Sequence, residues 1–207
     1  LTTFNRPNVH LVDTDGQGVE RIDEHGVWAN GTHYPLDVIV LASGFEFNTD
    51  YTHRSAFEVI GRDGLTLTDK WADGMESYHG MHVHGFPNMY IVGLPQGANL
   101  AANVTSNYTE ASLTVAAILA HATEIGARQV ECTAAAEADW VAAIEAAPAG
   151  IVGGAECTPG YYNNEGQPEG RRNKLNLGGY PAGPVAFFEY MDTWRSGGEF
   201  PGVEFRR

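Results

Sequence analysis

Leu36-Asp37-Val38-Ile39-Val40-Leu41-Ala42-Ser43-Gly44 is the stretch on which the fold class turns. A strand with one wet face alternates apolar and polar residues. Val38 to Ala42 do not alternate, and the run predicts a strand covered on both faces, as in a parallel sheet. The small residues that close it point to a close backbone approach, by a ligand or by another segment. Upstream, Val9 to Val12 is a short apolar run, Asp13-Thr14-Asp15-Gly16 is turn chemistry, and Val19 to Ile22 alternates. Asn30-Gly31 is a strong hairpin pair, so a β-meander is expected over residues 9 to 35.

Downstream, residues 45 to 85 show no sustained period, with one short strand expected at Phe57 to Ile60. Met89-Tyr90-Ile91-Val92 repeats the buried-strand signal and ends at Gly93, before a loop holding Pro95, Gly97 and Asn99. A helix is expected from 107 to 125, with Asn107 and Glu110 as a capping pair and Gly126 as its stop. A second runs from Thr133 as N-cap to Ala146, burying Trp140, Val141 and Ile144, and Pro148 stops it. Residues 149 to 183, rich in Gly, Asn and Pro, read as a long ordered loop. A last helix starts near Pro184, turns Val185, Phe188, Met191 and Trp194 inward, and ends at Gly197-Gly198. No internal repeat is visible. The fold class is α/β, or α+β when the chain is taken in isolation.

Asp and Glu number 26 against 12 Lys and Arg, a formal charge of −14, which argues against nucleic acid and anionic lipid as partners. With 43% apolar and 18% charged residues the chain should fold. No apolar run approaches the roughly 18 to 20 residues that cross a bilayer. The N-terminus lacks signal-peptide order, and Cys132 and Cys157 make neither a disulfide framework nor a zinc signature, so a cytoplasmic location is the expectation. A first residue of Leu rather than Met suggests part of something longer.

Residues 89 to 110 form the most suggestive unit: a strand delivers a Gly-rich loop that opens into a helix N-terminus. Unpaired N–H groups and the helix dipole there suit a phosphate, a carboxylate or an electron-rich ring oxygen; an ordinary β-loop-α connection without a ligand fits as well. His82 and His84 would share a face of a strand beside His79 and could hold a metal, but no carboxylate lies in the run, and polar residues on a strand edge or loop explain them too. Gly16-Gln17-Gly18 is no dinucleotide fingerprint, because Arg21 stands at its third glycine. Asn30, Asn103 and Asn107 open glycosylation-type triplets with nothing to suggest secretion. Cys157 has no local base and reads as packing. Asp37 could touch a ribose hydroxyl, or equally cap a turn.

Taken in order, these segments resemble the C-terminal part of the flavin-dependent Baeyer–Villiger monooxygenases. The likeness begins at Phe4-Asn5-Arg6-Pro7-Asn8-Val9. Asp37 to Gly44 is similar to the family's Asp-x-x-x-x-Ala-Thr-Gly segment, with Ser43 for its Thr. Gly61-Arg62-Asp63-Gly64, Trp71-x-x-Gly74, Tyr78-x-Gly80 and Gly85-Phe86-Pro87-Asn88 follow in family order. The Asp-x-x-x-x-Ala-Thr-Gly pattern occurs across two-domain flavoproteins, so the order and spacing carry the assignment.

The resemblance implies a flavoprotein with two dinucleotide-binding domains, holding FAD and NADPH. Residues 1–44 would end the inserted NADPH-binding domain, and 45–207 would be the C-terminal half of the FAD-binding domain, with a substrate and nicotinamide loop at about 149–183. It assigns cofactor contacts to Asp37, Ala42, Ser43, Gly44, Gly93, Leu94, Asn103 and Val104, and the substrate pocket to Asn99, Leu100, Tyr161 and Tyr162. Many members carry a Trp near the Cys157 position; here Thr158-Pro159-Gly160-Tyr161-Tyr162 follows, and either tyrosine could take the ring's place. No Gly-x-Gly-x-x-Gly is present, so both phosphate-binding turns, and the family's catalytic arginine, are expected upstream in an N-terminal portion that would be this chain's partner. The implied reaction uses O2 and NADPH to turn a ketone into an ester or lactone, and this piece alone is not expected to catalyse it. A related monooxygenase oxidising nitrogen or sulfur, or hydroxylating, and a non-catalytic ligand- or protein-binding domain of flavoprotein ancestry are the alternatives.

Overall fold

The computed structural model describes residues 2–43, 51–93, 95–98, 102–147, 160, 163 and 170–207. The chain falls into two compact units, Leu1–Ser43 and Gly44–Arg207.

In the first unit, β1 (Arg21–Asp23), β2 (Gly26–Ala29) and β3 (Thr32–Pro35) form an antiparallel meander in that order. Asn30 and Gly31, at φ 51° and 68°, close the β2–β3 turn with the twist a two-residue hairpin needs. Gly26 has no room for a side chain, since a Cβ there would lie 2.0 Å from the Tyr34 carbonyl oxygen. Asp23 ties the meander together. Its carboxylate accepts from Trp28 Nε1 at 2.7 Å and from the His25 N–H at 3.0 Å, and the Trp28 hydrogen bond leads in holding its pKa down at about 2.

The second unit is built on helices. α1 (Tyr51–Ser55) and α2 (Leu67–Lys70) are short, and α3 (Val104–Ile125) is the longest. β4 (Gln129–Cys132), α4 (Ala134–Ala146), α5 (Arg171–Leu177), α6 (Gly183–Ser196) and β5 (Val203–Arg206) follow. β4 and β5 pair antiparallel, Gln129 opposite Arg206 and Cys132 opposite Val203. α3 starts where the Asn103 side chain accepts from the Thr105 N–H, and stops at Gly126 in the left-handed conformation. It buries Asn107, Ala111, Thr114, Ile118 and Ala122, one stripe at three- and four-residue spacing. α4 is capped by Thr133, whose hydroxyl accepts from the Ala136 N–H at 3.1 Å. Phe187, Met191 and Trp194 of α6 meet Trp140, Ile144 and Ile118 in the core, each full burial contributing roughly 2 kcal/mol. Two buried carboxylates pin residues 62–85 to this frame. Glu131 accepts from both Arg62 nitrogens at 2.5 and 2.7 Å and from the Gly85 N–H at 2.6 Å, while Glu137 accepts from Lys70 Nζ and the His84 N–H.

The mixed helix and strand class agrees with the sequence reading, and several of its elements are corrected. The meander starts at Arg21, not at residue 9. Residues 37–43 form no strand, because none of the described residues supplies a ladder partner; Val38, Val40 and Leu41 stay 75%, 80% and 81% exposed. Met89–Val92 likewise lacks strand pairing, although Met89 and Ile91 pack against Leu67, Val83 and Phe86. At 57–60 there is no strand, only an isolated bridge from Ile60 to Thr66. α3 begins at Val104 rather than 107, so Asn107 is a buried helical residue and not a cap. In α6, Val185 faces solvent and Phe187 takes the inward place. The 149–183 stretch contains α5, with Leu175 fully buried.

Candidate functional site

The loop before α3 is anchored by Gln96, whose side chain is fully buried. Its carbonyl accepts from Ser77 Oγ at 2.5 Å, and its amide donates to the Met75 and Leu175 carbonyls at 2.6 and 3.0 Å. The Gly97 carbonyl accepts from the Tyr180 N–H at 2.8 Å. Gly97 itself must be glycine, since a Cβ would lie 2.4 Å from the Phe187 ring. Four polar contacts and one steric contact therefore fix where the chain leaves for α3.

At the start of α3, the Asn103 carboxamide oxygen accepts from the Thr105 N–H at 2.9 Å and from its hydroxyl at 2.6 Å. Val104 and Tyr108 are about half exposed. Gly93, at φ 146°, lies beside Tyr108, whose ring edge is 3.6 Å from where a Gly93 Cβ would stand. Thr105, Ser106, Thr109, Glu110 and Phe188 line an open concavity along the same turns. Of these, Glu110 pairs with the Arg195 guanidinium, which also donates to Thr114 Oγ1 at 3.0 Å. This end of α3 offers N–H groups, hydroxyls and a neutralised carboxylate. It can hold an electron-rich or anionic edge, and it carries no exposed acid or base poised for proton transfer.

The histidines do not form a ligand set. Residues 78–82 make a tight turn closed by a Tyr78–His82 bridge, with His79 at φ 59°. His79 is enclosed by the rings of Tyr78, Trp140, Tyr190 and Trp194, with Nε2 2.9 Å from the Tyr190 hydroxyl. Burial pushes its pKa well down, and pushes that of His82 down to about 4. His84 is turned elsewhere, donating from Nδ1 to the Cys132 carbonyl at 3.0 Å, so it does not share a strand face with His82. No group of three or more His, Cys, Asp or Glu among the described residues could hold a metal. Burial raises the pKa of the Cys132 thiol far above its usual value, which keeps it unreactive. No helix among the described residues is long and apolar enough to cross a membrane.

Of the residues singled out in the sequence, Gly93, Asn103 and Val104 stand on the loop and first turn just described. Asp37, Ala42 and Ser43 are exposed at the end of the first unit. Gly44, Leu94, Asn99, Leu100, Cys157, Tyr161 and Tyr162 lie outside the described residues. The sequence reading passed over the Gln96 anchor and the Glu110–Arg195 pair. The second did leave a signal: Arg195 is the single Lys or Arg in α3 and α6 together.

No family model matches the chain. Whole-protein relatives do. Pentalenolactone D synthase of Streptomyces exfoliatus is 44% identical over 209 residues, covering 100% of this chain and 35% of that protein. A Baeyer-Villiger monooxygenase of Streptomyces coelicolor is 43% identical over 94% of the chain and 32% of its own length. FAD-binding monooxygenase hmp7 of Hypomyces subiculosus is 38% identical over 99% of the chain and 34% of its length. Among solved structures, a polycyclic ketone monooxygenase from Thermothelomyces thermophila superposes with a TM-score of 0.80 at 29% identity, over 98% of this chain and 33% of that one. An oxidized steroid monooxygenase bound to NADP gives 0.79 at 29% identity, over 99% and 37%. The chain thus spans about a third of the length of the relatives it matches. In sequence and in fold the chain is similar, without a break across its whole length, to the C-terminal portion of flavin-dependent Baeyer–Villiger monooxygenases.

Proposed function

We propose that the protein of which this chain is part is a cytoplasmic, FAD- and NADPH-dependent monooxygenase that inserts one oxygen of O2 beside a ketone carbonyl to give an ester or lactone. The observation that carries this reading is the uninterrupted likeness, at 38 to 44% identity, to enzymes named for that chemistry or for FAD-dependent oxygenation. The residues present fit a flavin: the open first turn of α3 beside a side-chain-free Gly93 accepts the edge of a flat, electron-rich ring. Bound FAD would supply the hydride-accepting and oxygen-activating chemistry. This chain's own part is to position it. Asn103 and Val104 present backbone N–H groups to the flavin's pyrimidine edge, and Asn103 also fixes the direction of the helix pole. Gly93 and Leu94 are further contacts to the cofactor. Asp37, Ala42, Ser43 and Gly44 belong to the dinucleotide side, in a division where residues 1–44 end the NADPH-binding domain and 45–207 complete the FAD-binding domain. Asn99, Leu100, Tyr161 and Tyr162 shape the ketone pocket.

The test is to purify the full-length protein, record its visible spectrum, and supply NADPH, labelled O2 and a panel of cyclic ketones. A flavin band, with lactone carrying one labelled oxygen, is the expected result. Sulfoxide or N-oxide products without any ester would replace this reading with its heteroatom-oxidising relative. A protein that holds no flavin overturns both.

A further inference from the structure

Arg195 is the lone cation among the carboxylates of two helices. α3 carries Glu110 and Glu124, α6 carries Glu189 and Asp192, and neither has another Lys or Arg. Its guanidinium pairs with Glu110, donates to Thr114 Oγ1 at 3.0 Å, and reaches Asp192 at 3.2 Å. The Arg195 and Glu110 side chains are only 13% and 12% exposed, while that of Asp192 is 76% exposed, so the pair with Glu110 is the one shielded from water. Glu110 also belongs to the concavity formed by Thr105, Ser106, Thr109 and Phe188. It sits six residues past Val104, about 9 Å along the helix axis.

That distance matters because the N-terminal pole of a helix is worth only about half a positive charge. An unpaired carboxylate two turns in would offset much of the pole's attraction for electron density on a bound group. We infer that Arg195 is a positioning residue of the flavin site: by pairing with Glu110 it fixes α3 against α6 and cancels the one charge that would oppose a negative flavin edge at the helix start. This rests on the flavin reading proposed above. Reduced flavin carries more negative charge at its pyrimidine edge than oxidised flavin, so Arg195, by cancelling Glu110, should favour the reduced form relative to Glu110 left alone. Two unit charges about 10 Å apart in a half-exposed setting change such a preference by roughly three- to tenfold.

The experiment measures the reduction potential of the bound flavin in the full-length, FAD-loaded protein, with its melting temperature alongside. In Arg195→Gln, reduced FAD should bind three- to tenfold less favourably relative to oxidised FAD, and the potential should fall. Glu110→Gln should raise the potential. The double variant should return it to the wild-type value even though the melting temperature stays low. Arg195→Lys should keep most of the wild-type potential. If Arg195→Gln does not fold, Glu110→Gln and the double variant still separate charge from clamp. Potentials unchanged in variants that melt early would reduce the pair to a structural tie and overturn the inference. A wild-type protein that takes up no FAD would overturn the inference together with the functional reading, and only that result strikes both.

Discussion

His82 is 2% exposed, and its Nε2 is among the buried side-chain atoms without a hydrogen-bond partner. Tyr78 and Tyr90 are its ring neighbours, at 6.4 and 5.3 Å. Burial therefore keeps it neutral in the fold, with its pKa down at about 4, whereas an unfolded histidine titrates near about 6.5. The sign follows. Between those values the unfolded chain binds a proton that the fold refuses, so stability is present above about pH 6.5 and is lost as pH falls toward 4. His79 acts in the same direction, its imidazole held neutral by burial, with the nearby His82 adding to the effect. Comparing chemical denaturation at pH 7 and pH 5, His82→Phe should lose about 2 kcal/mol less than the wild type does. Any packing defect of the new ring appears equally at both pH values and cancels in the difference. An acid loss identical in variant and wild type would show that the fold tolerates His82 charged.

At the scale of elements, caps decide where the helices of the second unit begin and end. Asn103 and Thr133 make equivalent bonds, each accepting from a first-turn N–H, at 2.9 and 3.1 Å. Asn103→Ala and Thr133→Ala should each cost about 1 kcal/mol in denaturant melts. Only the first should also weaken FAD uptake, because only α3 opens toward the proposed flavin site; equal uptake by both variants would detach the α3 start from cofactor binding. The Thr133 cap and the Gly126 stop were legible because each is a local signal that tertiary contacts do not override. The start of α3 was misread because two asparagines lie four apart. Asn107 has Glu110 in capping register, and only burial against the core shows that it belongs inside the helix. β4 and β5 could not be read at all. They are four residues each and pair across more than seventy positions of sequence, a contact that no local period encodes. α5 was hidden in a stretch rich in Gly and Asn, where one buried Leu175 stabilises it more than propensity does.

For the molecule as a whole, the most informative disagreement is the run that opened the sequence reading. Its composition says strand, and in the relatives it belongs to proteins about three times longer. Among the described residues here it has no ladder partner, and Leu36, Val38, Ile39, Val40 and Leu41 are exposed at 41 to 81%. Hydrophobicity specifies that a segment be covered, not by what, and so a strand signal is only as good as the neighbours available to pair with it. Unpaired backbone beside a row of branched side chains is also a template for another copy. The isolated 207-residue chain should therefore self-associate at micromolar concentration and bind an apolar dye, by light scattering and fluorescence. Val38→Lys with Val40→Lys should return it to a monomer with dye binding substantially reduced, while the melting of the second unit, which is built on a separate core, stays where it was. A wild-type chain that runs as a monomer without dye binding would mean that 37–43 finds cover within the chain. Oligomers that survive the double lysine variant would move the adhesive surface to the second unit, where Val104, Tyr108, Leu113 and Leu119 are exposed on α3.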